Sequence, residues 1–188
     1  ARNFSVVNTS GTLNRLTITG TTFGLPVATS DNDSLAVEAR NNGTVANVTV
    51  TGSTFTGAAG DLIDFTGQTG TTMDVVFQNN TLSNNHPFNI IGGGGATLAT
   101  QGTYTFNTSS NGFRGANGSG ITLQKASAGT SLSGTFNTNT IGVTGVTGSG
   151  SASGNGLFFS FAGGGTITSA LTNNQIRNYS GNAGIFDD

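Results

Sequence analysis

Eight carboxylates and one histidine are all this chain offers to acid–base chemistry: Asp31, Asp33, Glu38, Asp61, Asp64, Asp74, Asp187, Asp188 and His86. There is no cysteine, which excludes thiol nucleophiles, zinc knuckles and disulfides. His86 stands in "NNHPF" with no motif that places a serine and an acid around it, and a histidine beside a proline reads as a loop residue. Most of the acids are isolated, but four of them fall in two short segments, "DND" (31–33) and "DLID" (61–64). If Leu35 stacks under Ile63 and Val37 under Phe65, Asp33 and Asp61 lie one strand spacing apart, about 5 Å. Such a separation suits a retaining pair of glycosidase carboxylates or a cation site, with Asp31 and Asp64 close in sequence and Arg40 ending the same strand. The competing reading is that these acids keep a corner soluble and cap turns, as Asp does before strands. The expectation is therefore a binding patch of Asp31, Asp33, Asp61 and Asp64, with no catalytic residue, no metal ligand set and no cofactor.

Other chemistry is poorly supplied. The glycine runs "IGGGGAT" (91–97) and "AGGGTIT" (162–168) lack the lysine and following helix of a phosphate-binding loop, so they read as close-packed corners. The calcium-binding nonapeptide repeat is absent. Of the aromatics, 13 are Phe, two are Tyr and none is Trp. A sugar-stacking platform usually needs the polar handle of Tyr or Trp, and alternating phenylalanines such as Phe159 and Phe161 fit a stacked core better.

What must position these residues follows from composition and repeats. Gly, Thr, Asn and Ser supply 103 of the 188 residues, whereas the charged types supply 14 and leave a net charge of −2. That balance gives no basic patch for nucleic acid and no polybasic membrane anchor. No apolar run approaches the ~18 residues of a spanning helix, and the first residues carry no signal-peptide pattern. The composition fits the bacterial cell exterior, with any export signal outside this piece.

Five segments align: "LTITGTTF" (16–23), "VTVTGSTF" (48–55), "VVFQNNTL" (75–82), "GTFNTNTI" (134–141) and "SALTNNQI" (169–176). In each, an apolar residue is followed five positions later by another, as in Phe77 and Leu82. "YTFNTSSNGF" (104–113) joins them if anchored on Phe106 with two extra residues. A second series of short alternating segments runs half a period out of step: "FSVV" (4–7), "SLAVEA" (34–39), "DLIDF" (61–65), "FNII" (88–91), "GITL" (120–123), "GLFFSF" (156–161) and "GIF" (184–186). A third short strand is predicted before each anchor, as in "GTV" (43–45), "TTM" (71–73), "ATL" (96–98), "TSL" (130–132) and "GTI" (165–167). Helical periodicity is missing throughout.

Repeats of about 30 residues with three short strands and Gly-rich corners describe the coils of a parallel β-solenoid. The fold class expected is all-β, a parallel β-helix of about six coils, with residues 1–188 forming a single solenoid segment. Six steps at about 4.8 Å make a body roughly 29 Å long. In such a coil, a recurrent Asn at one corner stacks on its neighbours, its amide supplying both donors and an acceptor to backbone groups outside the strand ladder. The predicted ladder comprises Asn79, Asn80, Asn139, Asn173 and Asn174, with Gly52 and Ser53 in its place one coil earlier.

These corners resemble the right-handed parallel β-helix repeats of large secreted bacterial surface proteins, the autotransporter-passenger and haemagglutinin-like adhesins, in which "NNTI"-like strings recur. The resemblance covers essentially the whole chain and implies an extracellular, mostly structural stalk and a right-handed coil; it carries across no catalytic residue. The chain starts and stops on strand patterns without a polar capping segment, which predicts a piece of a longer array or a unit that stacks head to tail. Expected partners are flanking repeats or further copies, with host or neighbouring-cell glycans as ligands. Two other functions compete. One is a carbohydrate-binding or carbohydrate-active β-helix built on Asp33, Asp61 and Asp64. The other is ice or flat-lattice binding through outward threonines, as in "TIT" (17–19) and "TVT" (49–51), which weakens where Val76 and Gln78 interrupt the series.

Overall fold

The computed structural model describes residues 2, 4–24, 33–83 and 93–180, and the backbone of 185–187. Among these residues there is no helix, and every paired strand is parallel to a neighbour one coil away. The first sheet contains seven strands: Phe4–Asn8 (β1), Leu35–Ala39 (β4), Ile63–Gly67 (β7), Ala96–Thr100 (β10), Ile121–Lys125 (β13), Leu157–Phe161 (β16) and Ile185–Asp187 (β19). The second contains six longer ones: Thr12–Thr19 (β2), Val45–Thr51 (β5), Thr72–Gln78 (β8), Thr103–Ser109 (β11), Ser131–Asn137 (β14) and Thr166–Thr172 (β17). The third is built from minimal strands: Thr22–Phe23 (β3), Thr54–Phe55 (β6), Thr81–Ser83 (β9), Gly112–Arg114 (β12), Thr140–Ile141 (β15) and Gln175–Ile176 (β18). Three parallel sheets closing round one axis make a β-solenoid, as the repeat pattern predicts.

Alternation explains the packing. In β5 the residues Ala46, Val48 and Val50 are buried while Val45, Asn47, Thr49 and Thr51 are half-exposed. Leu35 pairs with Ile63 and Val37 with Phe65, so like residues stack in columns down the axis. The Phe23 and Phe55 rings stack within one column, 4.7 Å apart and nearly parallel, and the Phe106 ring lies 4.9 Å from Phe136 in the adjacent column. Beneath Phe106 the column narrows to Gly134, where a Cβ would collide with the Phe106 carbonyl oxygen. Lys125 is the exception to apolar filling. It is fully buried at the inner end of β13, and its Nζ donates to the Ala162 carbonyl oxygen at 2.9 Å.

Three details of the sequence reading are corrected. The segments 43–45, 71–73, 130–132 and 165–167 are not separate strands but the beginnings of the long strands of the second sheet; the third strand of each coil is the short piece after the corner. In the coil containing "FNII", the strand of the first sheet is Ala96–Thr100, which includes "ATL", and 88–91 lies outside the described residues. The anchor of the fourth coil is Thr108, not Phe106: Thr108 pairs with Phe77 on one side and Phe136 on the other, and Phe113 follows it by the usual five residues. No extra residues are needed.

A threonine in that apolar column costs stability. Thr108 is 2% exposed and its hydroxyl has no hydrogen-bond partner. Thr108→Val keeps the shape and removes the stranded hydroxyl, so it should stabilise the fold by about 1–2 kcal/mol. The check is a higher urea midpoint with an unchanged slope.

Candidate functional site

The corner between the second and third sheets has two positions with separate duties. The first adopts left-handed backbone: Gly20, Gly52, Asn79, Ser110, Thr138 and Asn173 all have φ between 56° and 59°. Glycine and asparagine tolerate that region best, which explains part of the Asn enrichment. The second position turns inward. There Asn80, Asn111, Asn139 and Asn174 form a continuous column, with Ser53 above Asn80. Asn111 is typical. Its Oδ1 accepts from the Asn80 backbone N–H at 2.9 Å and from Asn80 Nδ2 at 3.0 Å. Its Nδ2 donates to the Phe77 carbonyl oxygen at 2.8 Å and to Asn139 Oδ1 at 3.0 Å. Asn79 and Asn173, placed in the ladder by sequence, instead stand exposed at the left-handed position. Asn111 was missed because anchoring its coil on Phe106 put it two residues out of step.

A related device governs the acids at the other corner. Asp33 Oδ1 accepts from the Asp61 backbone N–H at 3.0 Å, and Asp33 Oδ2 pairs with Arg2 Nε at 2.9 Å. One coil on, Asp61 Oδ1 accepts from the Gly94 N–H at 2.6 Å and Oδ2 from the Thr97 hydroxyl at 2.5 Å. The two acids are therefore neighbours across one rung, but each carboxylate holds the backbone of the next coil and neither faces the other across a space for a reactant. Burial pushes the Asp33 carboxyl above the usual aspartate range, against the Arg2 charge and the Asp61 N–H. Asp31 lies outside the described residues, as do His86 and the side chains of Asp187 and Asp188.

Asp64 behaves differently. It projects from β7 on the outward face of the first sheet and accepts from the Thr66 hydroxyl at 2.6 Å. Burial raises its pKa from 3.8 to about 6, opposed by the Thr66 hydrogen bond and reinforced by the charges of Asp33 and Asp61. Asp64 borders a groove of about 370 Å³ that Asp61, Thr66, Ala99, Gln101 and Gln124 also line. Sequence reasoning missed these two glutamines, because they come from different coils and meet only through the register that sets Thr66 beside Ala99 and Ala99 beside Gln124. Glu38 and Arg40 pair with each other at 2.6 Å on the neighbouring strand. Among the described residues no group of three His, Cys, Asp or Glu side chains could hold a metal ion.

The outward face of the second sheet carries the threonines. Thr17, Thr49, Val76, Asn107, Thr135 and Ala170 form one column, and Thr19, Thr51, Gln78, Ser109, Asn137 and Thr172 the next. Asn107 and Ser109 are the partners of Val76 and Gln78, so the threonine series is broken in two successive coils. An ion pair between Arg15 and Asp74 at 3.0 Å crosses the same face. Comparison with protein-family models, curated proteins and solved structures found no match to this chain.

Proposed function

We propose that this chain is a structural and adhesive segment of an extracellular β-helix, a rigid stalk or filament unit of a bacterial surface protein. The observation that supports this reading most is continuity of register. All three sheets and the Asn80–Asn111–Asn139–Asn174 column step from coil to coil, with one register shift, between Leu13 and Leu16 where β2 pairs with β5. Stiffness follows, since each coil is hydrogen-bonded along one axis to the coils next to it. The scarcity of charge and the absence of cysteine suit a surface exposed to the medium, and six cationic side chains give the phosphates of nucleic acid little to hold.

The edge strands β2 and β17 have no neighbour on one side among the described residues, and the inward-column residue Ile167 of β17 is 38% exposed. Unpaired parallel edges with an apolar cross-section favour addition of further coils, from flanking chain or from another copy. Sedimentation velocity over a wide concentration range tests the second source. The expected result is concentration-dependent head-to-tail association that Ile167→Lys weakens at least about tenfold, since a desolvated lysine at the joint costs more than the ~1.4 kcal/mol per decade required. A wild-type chain that stays monomeric at every concentration, or association indifferent to Ile167→Lys, removes self-stacking from the reading.

A further inference from the structure

We propose that the groove on the outward face of the first sheet binds an uncharged oligosaccharide, laid across the coils over Ala99. This site is separate from the rod reading, because a monomeric chain retains the groove. The depression exists because the column Glu38–Thr66–Ala99–Gln124–Ser160 drops to a methyl group at Ala99, between longer neighbours. Its volume of about 370 Å³ falls within the size range of small-ligand sites.

The hydrogen-bonding capacity left over in the groove defines the ligand. Thr66 and Thr97 spend their hydroxyl protons on Asp64 and Asp61. Both oxygens of Asp61 are occupied. By contrast Asp64 keeps one carboxyl oxygen without a partner among the described residues, and the Gln124 side chain makes no hydrogen bond among them. Gln101 accepts from Thr69 at 3.0 Å through Oε1, which leaves its amide hydrogens available. Two amides and a carboxyl oxygen therefore line one small space and offer it both donors and acceptors. Vicinal hydroxyls of a sugar, each both donor and acceptor, satisfy that set.

Charge narrows the class. None of the lining residues is a cation, and the carboxyls of Asp61 and Asp64 stand at one end, so an acidic sugar meets repulsion. No lining residue is aromatic, so the apolar face of a pyranose can rest only on Ala99 and Ala126, and binding depends chiefly on hydrogen bonds.

Ligand-observed NMR and calorimetric titration with cellohexaose, laminarihexaose and mannohexaose, with hexagalacturonate as the acidic arm, test the site. Ala99→Leu fills the groove from an outward position, and Gln124→Ala removes the unpaired amide. The expected result is binding of at least one neutral hexaose, weakened roughly tenfold or more in each variant while the melting temperature stays within a degree or two. Binding that survives Ala99→Leu, a preference for hexagalacturonate, or no binding of any neutral hexaose at millimolar concentration overturns the proposal.

Discussion

Replacing Asn111 by alanine should cost the fold roughly 3–6 kcal/mol and split its unfolding into two transitions. The side chain makes four hydrogen bonds in a fully enclosed corner. Its removal strands the Asn80 backbone N–H, the Phe77 carbonyl oxygen and a lone pair of Asn139, at about 1–3 kcal/mol for each group left unpaired. Because a solenoid is stabilised by nearest-neighbour interfaces, the loss concentrates between the third and fifth coils. The coils on either side then have less reason to unfold together. Asn111→Asp should be worse than alanine. It keeps an acceptor toward Asn80 but sets a carboxylate against the Phe77 carbonyl and Asn139 Oδ1, where two donated bonds had been. The control is one position earlier in the preceding coil. Asn79 is exposed and left-handed, φ 56°, so Asn79→Gly should change stability by less than about 0.5 kcal/mol. Urea unfolding followed by circular dichroism, with amide exchange to locate the weakened coils, checks both. Equal effects at 79 and 111 would show that the asparagines matter only as turn formers.

That contrast also marks how far the sequence could be read. Alternation and the five-residue interval located the coils, because an inward side chain every second position is dictated by strand geometry and needs no tertiary information. The register of Leu35 on Ile63 followed from the same rule. It failed where one residue broke the chemical pattern. Thr108 occupies an apolar column, so hydrophobicity alone anchored that coil two residues early and hid Asn111. The distinction between Asn79 and Asn80 was equally hidden, because a left-handed backbone and an inward amide are served by the same residue type. For the acids, spacing brought Asp33 and Asp61 together but not the direction of their carboxyl groups, which is set by the backbone N–H groups of Asp61 and Gly94. The groove was illegible for another reason: Gln101, Gln124 and Asp64 belong to different coils, and a small residue at 99 means nothing until its neighbours above and below are known.

Stability should fall as the pH rises from about 4 to about 6, and Asp64→Asn should abolish most of that loss. Burial on the face of the first sheet lifts the Asp64 carboxyl from 3.8 to about 6. Between those two values the folded chain holds a proton that the unfolded chain has released, so raising the pH pulls toward the unfolded state. Below about 4 both states are protonated and the residue exerts no pH-dependent effect. Above about 6 both are ionised and the penalty is complete, at most ~3 kcal/mol for a shift of this size and less to the extent that water in the open groove screens the charge. Asp33 is displaced in the same direction and adds to the slope. An asparagine at 64 can still accept from Thr66 but carries no charge into the groove. It should therefore raise stability by about 1–3 kcal/mol at pH 7.5, have little effect at pH 4, and flatten the curve between. Urea midpoints at four or five pH values for the two proteins measure this directly. The groove would then be a place where the fold tolerates an ionised carboxyl at a cost, although an amide there would be more stable; that is the pattern expected of a position kept for what it contacts from outside. A flat wild-type profile, or a variant less stable than wild type at pH 7.5, would place Asp64 in water and deprive the groove of its distinctive acceptor.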